Sequence, residues 1–215
     1  MSPTRACVID TETTGLDPDA GHRVIEIAAV EIIDLRPTGR SIKRRVNPEG
    51  VPVQWSSFLV HGIKDDDLAT APLFQDAWPP IAEFIGDSRL IAHNAPFDMR
   101  FLSAECLRVG FPDITLAVPV EDSINIAKRL WPGKPVSLDA VCRRLNISTD
   151  ARSTYHEALV DCELLATAYC RMRVMLDTPR TQGDFLDALL AQTEETDRTP
   201  IQIPLLAPQH REPAP

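Results

Sequence analysis

The sequence predicts an α/β domain with a mixed central sheet flanked by helices. Three observations predict it: β-branched strand patterns come first, a short strand then runs straight into a helix, and helical apolar periodicity closes the chain. At 215 residues, 44% hydrophobic and 25% charged, the chain suffices for one domain with a substantial core and is short for two.

The first strand is the apolar run ACVI (residues 6–9), and it leads into DTETTGL (residues 10–16). A side-chain period of two puts Asp10 and Glu12 on one face, and Gly15 is expected to let the chain turn without a Cβ penalty. Two like charges held together repel unless a cation lies between them. Taken alone, such a pair is more often a solvated acidic turn after an edge strand. Residues 17–22 read as a loop broken by Pro18 and Gly21. Residues 24–35 (VIEIAAVEIIDL) are a long strand, and Thr38-Gly39 is the expected hairpin turn into a third strand at 41–46. Three consecutive strands predict an antiparallel meander.

Residues 51–70 read as irregular and contain VHGI at 60–63. Thr70 is the expected cap of a helix with Pro72 in its first turn and Phe74, Ala77, Trp78 and Ile81 on its apolar face. Pro79-Pro80 should kink or split that helix. A short strand at 89–92 enters HNAPFD, where Asn94 is the expected N-cap and Met99, Leu102, Cys106 and Val109 recur at helical spacing. Residues 115–120 are the next strand candidate, followed by helices at 124–131 and 137–145. Ala158, Cys162, Leu165, Tyr169, Met172 and Leu176 form one face of a long last helix. The domain is expected to span residues 1–176, with 177–215 a Pro-rich, largely disordered tail.

Composition narrows the function classes. A net charge of −9 argues against gripping a long duplex by its backbone, which needs a basic footprint. It is compatible with binding a strand end through metal ions, or with delivery by a partner. No apolar run spans a bilayer, and residues 1–5 lack a signal segment, so a cytoplasmic protein without a membrane partner is expected. Five cysteines without a C-x-x-C pair read as small core hydrophobes in a reducing compartment.

Two further acids stand out. Asp98 lies in the first turn of the helix that Asn94 starts, where the helix dipole alone would favour it. Asp161 follows His156 by five residues, about 140° around a straight helix, so the two meet only if His156 precedes the helix or sits in its frayed first turn. Thr154-x-x-Glu157 also fits a capping box, which would make His156 an ordinary early helix residue. No G-x-x-x-x-G-K-[ST], G-x-S-x-G or G-x-G-x-x-G is present. Four carboxylates and one histidine suit hydrolysis assisted by two metal ions.

DTETTGL, HNAPFD and YHEALVD, in this order, resemble the three motifs of the DEDD exonuclease superfamily in its histidine branch. VHGI and WPGKPVSLDAVCRRLNI bring the resemblance closer to the epsilon proofreading subunits of bacterial DNA polymerase III, over about residues 5–175. The resemblance implies a ribonuclease H-like exonuclease fold and 3′→5′ removal of nucleotides from a single-stranded 3′ end of DNA. It implies that Asp10, Glu12, Asp98 and Asp161 hold two Mg²⁺ or Mn²⁺ ions and that His156 is the general base. Thr13 and Leu16 would pack near the terminal nucleotide, which Asp10, Glu12 and Asp161 also meet; His61 would reach the 3′ end, and Asn94 and Phe97 would support the site. Ser56 stands where an acid is common in this family. The implied partner is a polymerase catalytic subunit, and QGDFL at 182–186 loosely resembles a sliding-clamp-binding pentapeptide. The alternatives are an exoribonuclease or general repair exonuclease of the same superfamily, or an inactive scaffold or binding subunit.

Overall fold

A computed structural model of the chain describes residues 4–150 and 155–178. Five strands form one mixed sheet around β1 (Arg5–Thr13). β2 (Val24–Ile33) pairs antiparallel with β1, and β3 (Arg36–Arg45) pairs antiparallel with β2. On the other side β4 (Arg89–Ala92) runs parallel to β1 and β5 (Val120–Asp122) parallel to β4. The order β3-β2-β1-β4-β5 leaves β1 central, paired on both edges and buried along most of its length.

Alternation along β1 divides the core. Ala6 and Val8 pack in a cluster with Cys162, Leu165, Tyr169 and Met172 of the last helix, α8 (Ala158–Asp177). Before it come α6 (Ser123–Leu130) and α7 (Leu138–Arg144), which supply Ala127 and Val141 to the same cluster. Cys7 and Ile9 face the opposite way, into α3 (Phe74–Ile85) and α4 (Ala95–Arg108). All five cysteines are free and buried. No described helix is long and apolar enough to cross a membrane.

Several elements depart from the expectations. The β2–β3 turn is Asp34-Leu35, both at positive φ (50° and 58°), as a two-residue primed turn requires. Thr38-Gly39 lies instead inside β3 at a register irregularity, where the Thr38 hydroxyl donates to Glu31 at 2.9 Å. Residues 51–70 are not irregular: they contain α1 (Trp55–His61) and α2 (Asp65–Leu68), and Gly62 ends α1 at φ 67°. Leu73, rather than Thr70, is the N-cap of α3, and Pro79-Pro80 do not split it; Gln75 and Asp76, whose carbonyls they leave without helical donors, are exposed to water. Asn94 is the N-cap of α4, but in a left-handed conformation (φ 72°) and without a side-chain bond. The segment expected as strand 115–120 begins as a short helix, α5 (Ile114–Ala117), because Asp113 accepts from the Thr115 N–H at 2.9 Å, and only its end joins β5. Residues of the tail beyond 178, with the segment QGDFL, lie outside the described residues.

One buried ion pair ties α4 to β2. Glu105, 1% exposed, accepts from Arg23 Nε at 2.7 Å, Arg23 Nη2 at 3.0 Å and the Val24 N–H at 3.1 Å, with Arg108 at 2.8 Å. Deleting one partner of such a pair strands the other charge in the interior. Glu105→Ala should therefore lower unfolding stability by about 3–5 kcal/mol, read from the urea midpoint at unchanged m-value.

Candidate functional site

The alternation that sorts the core continues past it. Asp10 and Glu12 extend the face of Ala6 and Val8, toward α8, whereas Thr11 extends the face toward α4. Glu12 is 7% exposed and stands opposite Glu26 of β2, itself 1% exposed. Like charges in facing strand positions destabilise. Arg45 at 3.1 Å and Lys43 at 3.9 Å supply the opposing charge to Glu26 from β3.

Asp98 arrives from α4. It is 3% exposed, and Oδ1 accepts a hydrogen bond from the Thr11 hydroxyl at 2.8 Å. Burial pushes its carboxyl up to about 7, against the pull of the Thr11 and backbone hydrogen bonds and with a further push from Asp122. Thr11 is not among the residues expected from the sequence, although its place between Asp10 and Glu12 signals that it faces the other way.

Asp161 lies in the first turn of α8 and His156 precedes that helix, so the 140° separation of a straight helix does not apply. His156 Nδ1 is 2.9 Å from Asp161 Oδ2. An ionised carboxylate only accepts, so Nδ1 carries the hydrogen, and in the neutral ring Nε2 keeps its lone pair. The His156 N–H donates to the Val60 carbonyl at 2.9 Å, which pins this segment onto α1. Beside it Glu157 pairs with Lys43 at 3.5 Å.

Burial pushes the Cys162 thiol well up, and the Asp10, Asp98 and Asp161 carboxylates each push it further. The three acids, from separate stretches of chain, thus lie in coulombic reach of the same sulfur.

The remaining expected residues surround this centre in different ways. Thr13 is buried, its hydroxyl donating to the Gly15 carbonyl at 2.6 Å, and Leu16 is 72% exposed. His61 is 5% exposed and has both ring nitrogens engaged: Nδ1 accepts from the Ile63 N–H at 3.0 Å, so Nε2 donates to the Thr13 carbonyl at 3.2 Å. Burial lowers its pKa, opposed by the Thr13 bond. Asn94 is exposed, its N–H donating to Asp122 Oδ1 at 3.1 Å, and half-buried Phe97 packs on Phe101 at 5.0 Å. Ser56 is exposed in the first turn of α1.

Two glycines matter for space. The chain bends at residues 14–16, as expected of Gly15, which is needed for space rather than for a positive φ: a Cβ there would fall 2.5 Å from the His22 ring. Gly62 is left-handed (φ 67°), and a Cβ on it would meet the Tyr155 ring at 2.6 Å. Gly62 therefore lets Tyr155, and with it His156, lie against the end of α1.

Aspartate and glutamate oxygens form a donor set for hard divalent cations. Among the described residues no three His, Cys, Asp or Glu side chains are gathered closely enough to hold an ion alone. A cation of the magnesium type takes one or two carboxylates and completes its shell with water and substrate phosphate.

Comparison with known proteins gives a consistent picture. A family model described as Exonuclease matches residues 7–169. The DNA polymerase III subunit epsilon of Rickettsia conorii is 40% identical over 174 residues, covering 80% of this chain and 75% of that one. Its counterpart in Pasteurella multocida is 41% identical over 175 residues, covering 79% and 68%. Among solved structures, exonuclease X in complex with 5′ overhanging duplex DNA superposes with a TM-score of 0.62 at 26% identity, over 85% of this chain and 98% of that one. The nuclease domain of 3′hExo, a DEDDh family member bound to rAMP, gives 0.69 at 19% identity over 81% and 94%, a likeness of fold alone.

Gly62→Ala tests the packing of the His156 segment. The substitution should cost about 1–2 kcal/mol for the left-handed backbone alone. It should also release the His156 amide to fast hydrogen exchange while the β1 amides stay protected.

Proposed function

The chain belongs to the exonuclease family, among the epsilon subunits of DNA polymerase III, and on that premise we propose that it removes nucleotides from single-stranded 3′ ends of DNA, proofreading for a replicative polymerase. The observation that carries this reading is that the end of β1 engages both acid-bearing helices: Asp10 and Glu12 face α8, whose Asp161 is bonded to His156, and Thr11 between them is bonded to Asp98 of α4.

In this reading Asp10, Glu12, Asp98 and Asp161 hold two divalent cations, Mg²⁺ or Mn²⁺. Bound, the ions polarise the scissile phosphate, lower the pKa of an attacking water and neutralise charge on the leaving oxygen. His156 accepts the water's proton at Nε2, while Asp161, bonded to Nδ1, keeps the ring in the required tautomer and orientation. Thr11 fixes Asp98 from the opposite face of the sheet. Thr13 and Leu16 form the floor under the terminal nucleotide, and His61 holds that floor through its bond to the Thr13 carbonyl. Asn94 and Phe97 shape the side facing α4.

The net charge of −9 fits this division of labour, since cations rather than lysines would meet the phosphate. It also fits a protein brought to DNA by a polymerase catalytic subunit. Docking of that subunit, or of a sliding clamp, would fall to the tail from residue 177, and the setting would be the cytoplasm.

Two experiments test the proposal. A 3′-mismatched primer with Mg²⁺ or Mn²⁺ should be shortened by the wild-type chain. Asp10→Ala and His156→Ala should each lower kcat by at least about 100-fold, and equal rates in Asp10→Ala and wild type would overturn the site. Running an RNA primer alongside distinguishes an exoribonuclease. The second experiment reads stability. Asp98 is raised from 3.8 to about 7, so across that window the native state binds more protons than the unfolded chain, and stability of the metal-free protein falls as pH rises. Mn²⁺ should relieve this, so its increase in Tm should be larger at pH 8 than at pH 5. An equal shift at both pH values, or none, would count against Asp98 as a ligand.

A further inference from the structure

We propose that Trp55, Phe58 and Tyr155 form a stacking platform for the unpaired bases of the DNA strand whose 3′ end enters the carboxylate site. The inference rests on the nuclease reading above and adds to it a strand-binding surface.

The three rings form a continuous run. Trp55 stacks on Phe58 with centroids 5.2 Å apart and planes inclined by 26°. Phe58 lies 6.0 Å from Tyr155, inclined by 48°. Trp55 is 70% exposed, so covering one face by Phe58 leaves the rest of the indole to solvent. Tyr155 is 38% exposed and immediately precedes His156.

The platform is tied to the site at both ends of α1. The Gln54 N–H donates to the Thr14 carbonyl at 2.8 Å, which sets Trp55 beside the end of the acidic strand. At the other end His61 bonds to the Thr13 carbonyl, and the Val60 carbonyl accepts from the His156 N–H. Among the described residues eight large hydrophobics are exposed, and five of them (Leu16, Trp55, Leu59, Val60 and Tyr155) belong to this region. Singly scattered apolar residues need no explanation, but a group beside a binding site does.

Chemistry selects the occupant. Residues 54–63 (QWSSFLVHGI) contain no Lys or Arg, so this surface offers phosphates no cationic side chain. It offers π-faces, which accept any base at about 1–3 kcal/mol each by alanine substitution. A strand with its last phosphate at Asp10 and Glu12 and its preceding bases on α1 would be held without the basic groove that this chain lacks.

The test compares two substrates in the full-length protein with Mn²⁺: single-stranded oligothymidylate, and the p-nitrophenyl ester of thymidine 5′-monophosphate, which has no second base to stack. Trp55→Ala should raise KM for the oligonucleotide about tenfold with kcat little changed, and the rise should persist at higher salt, because no phosphate contact is lost. Trp55→Phe should restore most of the loss, and the effect should be confined to the strand. In metal-free wild-type protein, oligothymidylate should quench tryptophan fluorescence, and the quench should vanish in Trp55→Phe. An unchanged oligonucleotide KM in Trp55→Ala overturns the platform, as does an equal loss on the ester. So does an unchanged KM together with lost binding to a polymerase subunit, which would make the surface a protein contact. A wild type inactive on both substrates would instead overturn the nuclease reading, and the fluorescence quench would still decide the platform.

Discussion

The period of two along β1 is the constraint on which the rest of this structure depends. Because β1 is central and paired on both edges, its register cannot slip without moving apolar residues out of both cores. That rigidity passes to the residues beyond the apolar run. Asp10 and Glu12 inherit the face of Ala6 and Val8, and Thr11 inherits the face of Cys7 and Ile9. The two faces receive different helices, α8 with Asp161 and α4 with Asp98. A three-residue stretch at the end of one strand therefore addresses both helices at once. The Thr11–Asp98 bond ties the α4 acid directly to the acidic strand.

Holding this many carboxylates in a small volume is costly, and the surroundings show how the cost is offset. Glu26, Glu31 and Glu105 are each 1% exposed, and each is met by arginines from a neighbouring element. Such pairs contribute little net stability compared with an apolar substitute but make loss of one partner expensive. They fix the lateral position of β2, β3 and α4 relative to β1. Asp98 differs, since a neutral hydroxyl bonds its side chain and its carboxyl is raised. Buried carboxyls that are not neutralised by arginine are where a cation has most to gain.

Much of this is legible in the sequence, and the parts that are not share a physical cause. The strand–helix succession, the alternation of Asp10 and Glu12, and the apolar face of α8 all follow from local periodicity. The meeting of His156 with Asp161 is conditional on where the helix starts, because one turn more or less decides whether the two side chains can touch. The hairpin turn is misplaced by sequence because Thr38-Gly39 carries stronger turn chemistry than Asp34-Leu35; tertiary pairing then forces Leu35 into a left-handed conformation that Leu rarely adopts. Helix α1 is hidden because no side chain caps its start, and its anchors, Thr13, Thr14 and His156, are distant in sequence. Gly62 is the available signal, a helix-ending glycine inside VHGI.

That hidden helix changes how the acidic opening stretch DTETTGL is understood. Asp10 and Glu12 face α8, and Thr13 and Thr14 offer their carbonyls to α1. One short segment thus bears the carboxylates and anchors the helix that carries Trp55 and Phe58. The histidine segment is pinned to the same helix through Val60 and Tyr155. A chain of net charge −9 cannot hold a polyanion by long-range attraction. In the proposed reading its grip would be local and of two kinds, cations for the terminal phosphate and apolar faces for the bases. The geometry at the end of β1 puts both kinds of surface within a few residues of each other.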